Sequence, residues 1–450
     1  FLIGRPKQWI PAFKDMFRYF FSEKAYQGLM EDIQKRPTYA LMRESRLPLT
    51  NIGAQLTGRE EAFMSNFAEK IPLIGKVVKM SNRAYTGFLN KLRVDVFDNL
   101  VGSAQKQGIE VTGKVAGDIA KFVGSATGRG DLGMLNNAAV ALNSVFFSPR
   151  LMASRLNLLN PVYYIKLDPF VRKEALKSLL TFTGTGLSIL GLAKMGGAEI
   201  GTDIRNADFG KIKIDNTRYD VWGGFQQYFR IAGQLITGKH ISSTTGVETT
   251  VGEGYKSLTR LDILQRAIET KEAPVFSFAT SLLKGKTFLG KEIDLKSEIA
   301  QRFIPMVVQD MGDLYKERGL SGVAMGTPAI FGVGLQTYSP DASEVVYSMN
   351  SVINHFRELM NRGRIQDAQE LLNRNKDIIE MGIKLKPIQE TINEYNKIKD
   401  NIDKNVLFPQ NFKKQKVSAI DQKVESLQDI MDTKYKEIKE GKKDSFIPIQ

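Results

Sequence analysis

An uncharged, glycine-punctuated apolar run is the feature that most restricts how this chain can fold. It covers residues 178–193 and lies between Lys177 and Lys194. A bilayer-crossing helix needs about 20 residues, so this run is short for a stable span, and its threonines and serine make it less apolar. We therefore expect a buried core helix here, with a segment that inserts conditionally into a membrane as the alternative.

Two short alternating runs that follow predict one tight β-hairpin. The runs cover residues 211–214 and 217–221, and Asp215-Asn216 between them accept the positive φ of a primed turn. The region carries Asp208, Asp215, Arg218 and Asp220. Because neither a histidine nor a candidate nucleophile lies nearby, we interpret these side chains as a solvated rim rather than as an acid–base site.

Helical periodicity dominates the remaining sequence. Spacings of three and four mark one buried face in residues 77–100, formed by Tyr85, Phe88, Leu89, Leu92, Val96 and Leu100. Further helical segments are expected at 61–70, 138–161, 256–270, 274–284 and 296–316, and the small polar run 241–254 predicts a mobile loop. We therefore predict a mainly α, multi-helix, extended fold with one small β-hairpin near residues 211–221.

Two early segments suit either a membrane or protein packing. Residues 9–21 combine aromatic rings with lysine and arginine, which favours a helix docked on a partner over a helix at a membrane interface. Residues 102–126 are rich in small side chains. These form one pair, Gly113 and Gly117, and a second row, Ala116, Ala120 and Gly124. Both tight core packing and a helix tolerated in water and lipid fit the second segment.

The last part of the chain predicts a series of amphipathic helices. The first covers residues 345–360 and stops at Asn361-Arg362-Gly363, and the second covers 365–381 and ends at Gly382. Pro387 opens a third helix, and residues 417–439 form a fourth. Their alternating charge is typical of solvated arms that lie on a neighbouring subunit.

Changes in composition divide the chain into three predicted regions. Residues 1–144 form a basic helical region with a small-residue helix, residues 145–340 a helical domain with the hairpin, and residues 341–450 an amphipathic helical arm. Ser148-Pro149 gives a helix-start signal near the first boundary. Residues 1–180 hold 26 basic and 15 acidic side chains. This excess favours contact with DNA or an anionic membrane, although dispersed charge also serves solubility.

The reactive residues available argue against a reaction centre. The chain has no cysteine and only two histidines, His240 and His355, which excludes thiolate and multi-histidine zinc sites. Gly285-Lys286-Thr287 resembles the end of a phosphate-binding loop, but Thr280 stands where that loop needs glycine. Arg129-Gly130-Asp131 is interpreted as a chance tripeptide in a loop. We predict no enzymatic activity, no cofactor, and no catalytic, cofactor-binding or metal-binding residue.

Three stretches together resemble the large polyvalent-protein-associated domains found near the end of very long phage and mobile-element proteins. The stretches are FFSPRLMASR at 146–155, RNADFGKIKI at 205–214 with YDVWGGF at 219–225, and FGVGLQTY at 331–338. The resemblance covers roughly residues 145–340, and neither flank matches. It implies a domain that accompanies proteins packaged in virions and delivered with DNA. No catalytic residue carries over from it.

These observations lead to one functional expectation and two alternatives. We expect a non-enzymatic phage virion protein, packaged inside the particle or its tail-side channel and released with the genome into the host envelope or cytoplasm. Its expected partners are other virion proteins (portal, tail or further internal proteins), in multiple copies, with DNA or an anionic membrane against residues 1–180. The alternatives are a fixed structural or scaffolding protein and a non-catalytic region of a giant virion enzyme. Because the first residue is Phe1, we expect a piece of something longer.

Overall fold

A computed structural model describes residues 4–50, 74–133, 142, 148–252, 259–269, 315, 319, 326–328, 333–338, 340–405 and 407–444. The predicted helices at 61–70, 274–284 and 296–314, most of 138–147, and Gly285-Lys286-Thr287 lie outside these residues. The described part of the chain holds fourteen helices and six short strands, which confirms the mainly α, multi-helix fold. The chain divides into two compact units. The three regions predicted from composition stay a prediction.

The elements follow one another along the chain with helices before, between and after the strands. In order they are α1 Pro6–Phe21, α2 Glu23–Gln34, α3 Tyr39–Glu44, α4 Ile74–Lys106, α5 Gly113–Ala126, α6 Pro149–Leu159, α7 Pro161–Lys166, α8 Pro169–Met195, β1 Glu199–Ile200, β2 Ile212–Ile214, β3 Thr217–Asp220, α9 Gln226–Thr237, β4 Lys239–Ile241, β5 Glu248–Thr250, α10 Arg260–Glu269, β6 Gly334–Thr337, α11 Ala342–Asn361, α12 Ile365–Arg374, α13 Lys376–Lys404 and α14 Gln410–Asp444.

Unit 1 comprises Phe1–Gly197, Val221–Phe225 and Asp262–Val333 and is centred on the long helix α4. The predicted buried face of α4 is largely confirmed, since Leu89, Leu92, Val96 and Leu100 are buried, but Tyr85 is 42% exposed. Arg93 is fully buried and donates to Thr127 Oγ1 and Pro48 O, both at 3.0 Å. A core arginine fits here because its donors meet fixed oxygens.

Helix α1 packs on α4 of the same chain through the aromatic stretch 9–21. The Trp9 ring stacks on Phe13 at 4.5 Å between centroids and meets Phe88 edge-on at 5.9 Å. Phe17 and Phe21 at the end of α1 stay exposed. Tyr19 in the second half is buried in the unit 1 core, so intramolecular packing accounts for the stretch apart from its exposed Phe17 and Phe21.

The packing of helix α5 shows which of the two rows of small residues contacts the rest of the protein. Ala116 and Ala120 are buried, and a Cβ on Gly124 would lie 3.1 Å from Pro48 Cγ. A Cβ on Gly113 or Gly117 would meet open space. The second row is therefore the close-packing face, as expected for a core helix.

Unit 2 comprises Ala198–Asp220, Gln226–Leu261 and Gly334–Gln450 and contains both sheets. The hairpin is confirmed: β2 and β3 pair antiparallel around Asp215, whose φ is +50°. It forms the middle of a four-stranded sheet in the order β1, β2, β3, β6, with Tyr219 opposite Leu335. A second hairpin, β4 with β5, occupies part of the predicted loop 241–254. That loop prediction was wrong because Val247 is buried against the C-terminal helices.

The C-terminal helices begin as predicted and then differ. Helix α11 starts with an Asp341 capping box and stops before Gly363, whose φ is +73°. The predicted helix end at Gly382 and the predicted helix start at Pro387 were both wrong, since α13 runs through both positions. Gly382 is glycine because a Cβ there would lie 2.7 Å from Met349 Cβ and Sδ.

The break between the second and third C-terminal helices falls at Asn375 instead. Its side chain is buried, and Nδ2 donates to Leu371 O at 2.8 Å and Thr245 O at 3.0 Å. The fourth helix, α14, is longer than the predicted 417–439. A buried asparagine that bonds both its own helix and a distant turn fixes the break in place.

Candidate functional site

Helix α8 begins with a well-defined cap and a firm anchor in unit 1. The Asp168 carboxylate accepts from the backbone N–H of Phe170 at 2.9 Å, and Pro169 occupies the first turn. Arg172 donates to the carbonyl oxygens of Tyr164, Ile165 and Leu167 at 2.7–3.0 Å. These bonds tie the start of α8 to the end of α7.

Side chains of the first two turns also fix α8 to the rest of unit 1. Phe170, Val171 and Ala175 are buried in the unit 1 core. Glu174 pairs with Arg5 at 2.8 Å. The N-terminal third of α8 is therefore an ordinary core helix.

The rest of α8 is different, because most of its apolar side chains face solvent. We call this set the α8 patch: Leu176 (39% exposed), Leu180 (71%), Leu187 (59%), Ile189 (38%), Leu192 (68%) and Met195 (85%). Within residues 178–193 the one buried residue is Gly186. The expectation of a buried core helix over this run was wrong. Exposed apolar patches of this kind mark interaction surfaces.

One narrow seam holds the second half of α8 to unit 1. Gly186 lies so close to Trp222 that a Cβ would come within 2.5 Å of the indole Cζ3. The Phe182 ring meets Trp222 edge-on and Phe225 at a tilt, both at 5.8 Å between centroids. Gly184 and Gly191 border open space instead. One seam of α8 therefore touches protein.

Three of the five hydroxyl groups of α8 are satisfied within the helix itself. Ser178 donates to Glu174 O at 2.9 Å, Thr181 to Lys177 O at 2.8 Å, and Ser188 to Gly184 O at 2.9 Å. A hydroxyl bonded to its own helix costs less in an apolar medium than a free one. These polar residues are thus compatible with lipid contact.

In the described part of the chain, α8 is the single helix whose length and composition would allow it to cross a membrane. Its 27 residues extend about 40 Å. Only 11% of its most apolar 18-residue window is buried. The core helices of soluble proteins are mostly buried, whereas most of the apolar part of α8 is exposed.

The charged residues of the central hairpin in unit 2 are partly buried. Arg218 is 7% exposed and lies 3.3 Å from Asp208 Oδ2, so the predicted solvated rim was wrong at this pair. Lys211 is 9% exposed, and burial lowers its pKa. Asp215 and Asp220 occupy the turn and the end of β3.

A cleft of about 650 Å³ lies in unit 2 between the β4–β5 hairpin and helices α11 and α12. Several of its charged side chains neutralise one another. Glu358 pairs with Arg362 at 2.6 Å, and its Oε2 lies 3.3 Å from His355 Nδ1. Arg364 pairs with Asp367 at 2.7 Å. Such internally paired charges are typical of a structural surface.

The Arg129-Gly130-Asp131 tripeptide and the possible metal ligands were also considered from sequence. Gly130 of the Arg129-Gly130-Asp131 tripeptide is buried against Ser154, and its N–H donates to Arg150 O at 2.9 Å, so the tripeptide is part of the packing. The described residues contain no group of three or more His, Cys, Asp or Glu side chains arranged to hold a metal ion. The prediction that the chain has no catalytic or cofactor-binding residue stays a prediction.

Sequence patterns missed the polar anchors of unit 1. Arg36 pairs with both Asp95 and Asp98 at 2.7 Å, and Arg93 fills the core. The i, i+3 spacing of the two aspartates on α4 was the available signal.

Comparisons of the chain with protein-family models, curated proteins and solved structures found no match.

Proposed function

We propose that this chain is a non-enzymatic phage virion protein, carried inside the particle or its tail-side channel and released with the genome to help DNA cross the host envelope. The observation that supports the proposal is the α8 patch, an exposed apolar surface on a helix that the described residues anchor at its start and along one seam. A protein stored in water and used at a membrane needs such a surface.

The physical reason lies in the hydrogen bonds of α8. A segment can enter lipid only when its backbone polar groups are satisfied internally, which a formed helix provides. Its serine and threonine hydroxyls at three positions already bond to their own helix. Entry into lipid would therefore leave few polar groups without partners.

The flanking charges suit the same role. Lys177 and Lys194 bracket the uncharged run, which spans about 24 Å as a helix. Because lysine stems can extend along apolar surface while the ammonium reaches the headgroups, a run somewhat shorter than the bilayer core is accommodated. The basic excess of residues 1–180 would attract DNA in the particle or anionic headgroups at the membrane.

The release step can be tested on particles that contain the chain. Protease protection and quantitative mass spectrometry are compared between intact particles and particles that have ejected their genome. We expect the chain to be protected before ejection and lost from the shell afterwards. Full retention in emptied shells would contradict release and favour a fixed component.

The membrane step can be tested with the purified full chain by liposome flotation. We expect Leu180→Ser with Leu187→Ser to reduce flotation at least about tenfold, since burying each leucine is worth about 1.5–3 kcal/mol. The matched control is Leu261→Ser on α10, a leucine 72% exposed against 71% for Leu180. Equal flotation of both variants and the native chain would remove α8 from the mechanism.

One observation favours the scaffolding alternative. Helices α13 and α14 pack together as a two-helix arm with a polar surface, which suits binding to portal or capsid subunits. A symmetric ring of ordered copies in the particle would support it. The third possibility, a region of a giant virion enzyme, is tested by reading the coding sequence upstream of Phe1 for an enzymatic domain.

A further inference from the structure

The two-helix arm of unit 2 has a base with a core and a distal end without one. At the base, Leu385 of α13 and Met431 of α14 are fully buried with Val345 and Met349 of α11. Beyond Ile392, α13 continues for about 18 Å, to Lys404, where α14 is its packing partner. The distal pair is held by Lys399 with Asp421 at 2.6 Å.

The end of this arm exposes large apolar side chains. We call Leu407, Phe408 and Phe412 the arm tip. Leu407 is 90% exposed, and Phe408 and Phe412 are 37% and 39% exposed with ring centroids 5.0 Å apart. The tip is convex, because it is the turn between two antiparallel helices.

Lysines surround the arm tip. Residues 397–423 contain seven lysines and three aspartates, and one of those aspartates is the partner of Lys399. The lysines nearest the tip are Lys404, Lys413, Lys414 and Lys416. Lys416 lies over the Phe412 ring at 5.7 Å, and Lys413 donates to Asp403 O at 2.8 Å. Asp400 and Asp403 lie on the last turn of α13, next to Lys404.

We propose that the arm tip is a peripheral anchor that inserts Leu407, Phe408 and Phe412 into the surface of an anionic lipid bilayer, with the surrounding lysines on the headgroups. The proposal rests on the proposed function only in that both need a membrane, since the arm tip belongs to unit 2 and the α8 patch to unit 1. Apolar side chains ringed by lysine are the composition of interfacial anchors.

Shape and charge favour lipid over a protein or nucleic-acid partner. A convex tip with a leucine 90% exposed enters a fluid surface without a complementary groove, whereas a protein partner would have to supply one. Nucleic acid would be bound by the lysines alone, and Leu407 would then contribute nothing. Anionic lipid is the ligand that would contact both the apolar side chains of the arm tip and the lysines around it.

The test measures co-sedimentation of the full chain with vesicles of phosphatidylcholine and of phosphatidylcholine mixed with phosphatidylglycerol. We expect Leu407→Ser with Phe408→Ser to weaken binding to the anionic vesicles at least about tenfold. Lys414→Gln with Lys416→Gln should weaken it about fivefold per lysine and reduce its salt dependence. The matched control is Ile430→Ser, a 53% exposed apolar residue elsewhere on α14, which should bind like the native chain.

A fluorescence measurement at the arm tip reports insertion directly and does not depend on the serine variants keeping their fold. Phe408→Trp, in a background with Trp9→Phe and Trp222→Phe, should show a blue shift and quenching by brominated lipid on anionic vesicles. No shift, or equal binding by the tip variant and the Ile430→Ser control, would overturn the proposal. Lysine-dependent DNA binding with unchanged vesicle binding in the tip variant would also overturn it.

The same assay separates this proposal from the role of α8. Insertion of α8 is apolar and should persist on neutral vesicles, whereas the arm tip should require anionic lipid and weaken with salt. Loss of anionic binding in the tip variant alone supports the arm tip even if the α8 variant binds normally. Dependence on the α8 variant alone would reject the arm tip and leave the proposed function intact.

Discussion

A pair of glycines two residues apart on α8 offers a sharp test of how this helix is held. Gly184 borders open space, whereas a Cβ at Gly186 would lie 2.5 Å from Trp222 Cζ3 and 2.6 Å from Cη2. Alanine at either position gains the same helix propensity, about 1 kcal/mol. The difference between the two variants therefore isolates the contact with the indole.

The size of that difference follows from the geometry. Carbon atoms pack at about 3.5–4.0 Å, so the Trp222 ring must move by roughly 1 Å to admit the new methyl group. Phe182 and Phe225 lie against the ring and resist that shift. Overpacking of this kind costs about 1–3 kcal/mol. We expect Gly184→Ala to be more stable by about 1 kcal/mol and Gly186→Ala to range from unchanged to about 2 kcal/mol less stable.

The chain has two tryptophans, which makes the assay local. In a Trp9→Phe background, urea unfolding followed by fluorescence reports the surroundings of Trp222, and circular dichroism reports the helices. Equal stabilisation by both alanines would refute the packing of α8 on Trp222. If the packing is present, Gly186→Ala should also float more readily with liposomes, because the seam that holds α8 is weakened.

Two further predictions concern other packed positions. Gly382→Ala places a methyl group 2.7 Å from Met349 Cβ and should cost about 1–3 kcal/mol before the gain in helix propensity, whereas Gly28→Ala on α2 has open space and should stabilise in urea unfolding. Burial raises the pKa of Tyr164 from 10.0 to about 12. The stability from this proton is full below pH 10 and is lost as the pH rises towards 12, so Tyr164→Phe should flatten the alkaline loss in pH-dependent unfolding curves.

Local chemistry made part of this fold predictable from sequence. The hairpin depends on Asp215-Asn216 and its flanking alternation, and the end of α11 depends on Gly363, so short windows contain the whole signal. The buried face of α4 was readable for the same reason, apart from Tyr85. Periodicity and turn residues act within a few positions of the chain.

Contacts between distant residues decided the rest. Gly382 ends no helix because Met349, 33 positions away, fills the space its side chain would take. The β4–β5 hairpin forms in a polar run because Val247 packs with Val352 and Leu359. The candidate site shows the same division. The apolar run 178–193 was evident from sequence, but its exposure depends on how little of it meets Trp222 and Phe225.

Arg230, a partly buried arginine of unit 2, leads to a prediction in which losing a charged side chain does not lower the stability. Arg230 on α9 has a buried Nε without a hydrogen-bond partner, and burial lowers its pKa. In the described part of the chain it forms no ion pair, whereas Arg218 lies 3.3 Å from Asp208 Oδ2 and donates to Asn216 O at 2.9 Å. Within the described residues, the two arginines therefore differ mainly in whether an acidic side chain compensates the charge.

That difference should appear directly in unfolding experiments. Replacing a partly buried charge that no described acidic side chain compensates by an apolar side chain removes its desolvation cost, so Arg230→Met should leave the free energy of unfolding unchanged or raise it by about 1 kcal/mol or more. Arg218→Met strands Asp208 and should lower it by about 3–5 kcal/mol. Urea unfolding followed by circular dichroism measures both. A comparable loss of stability in Arg230→Met would refute the proposed difference between the two arginines.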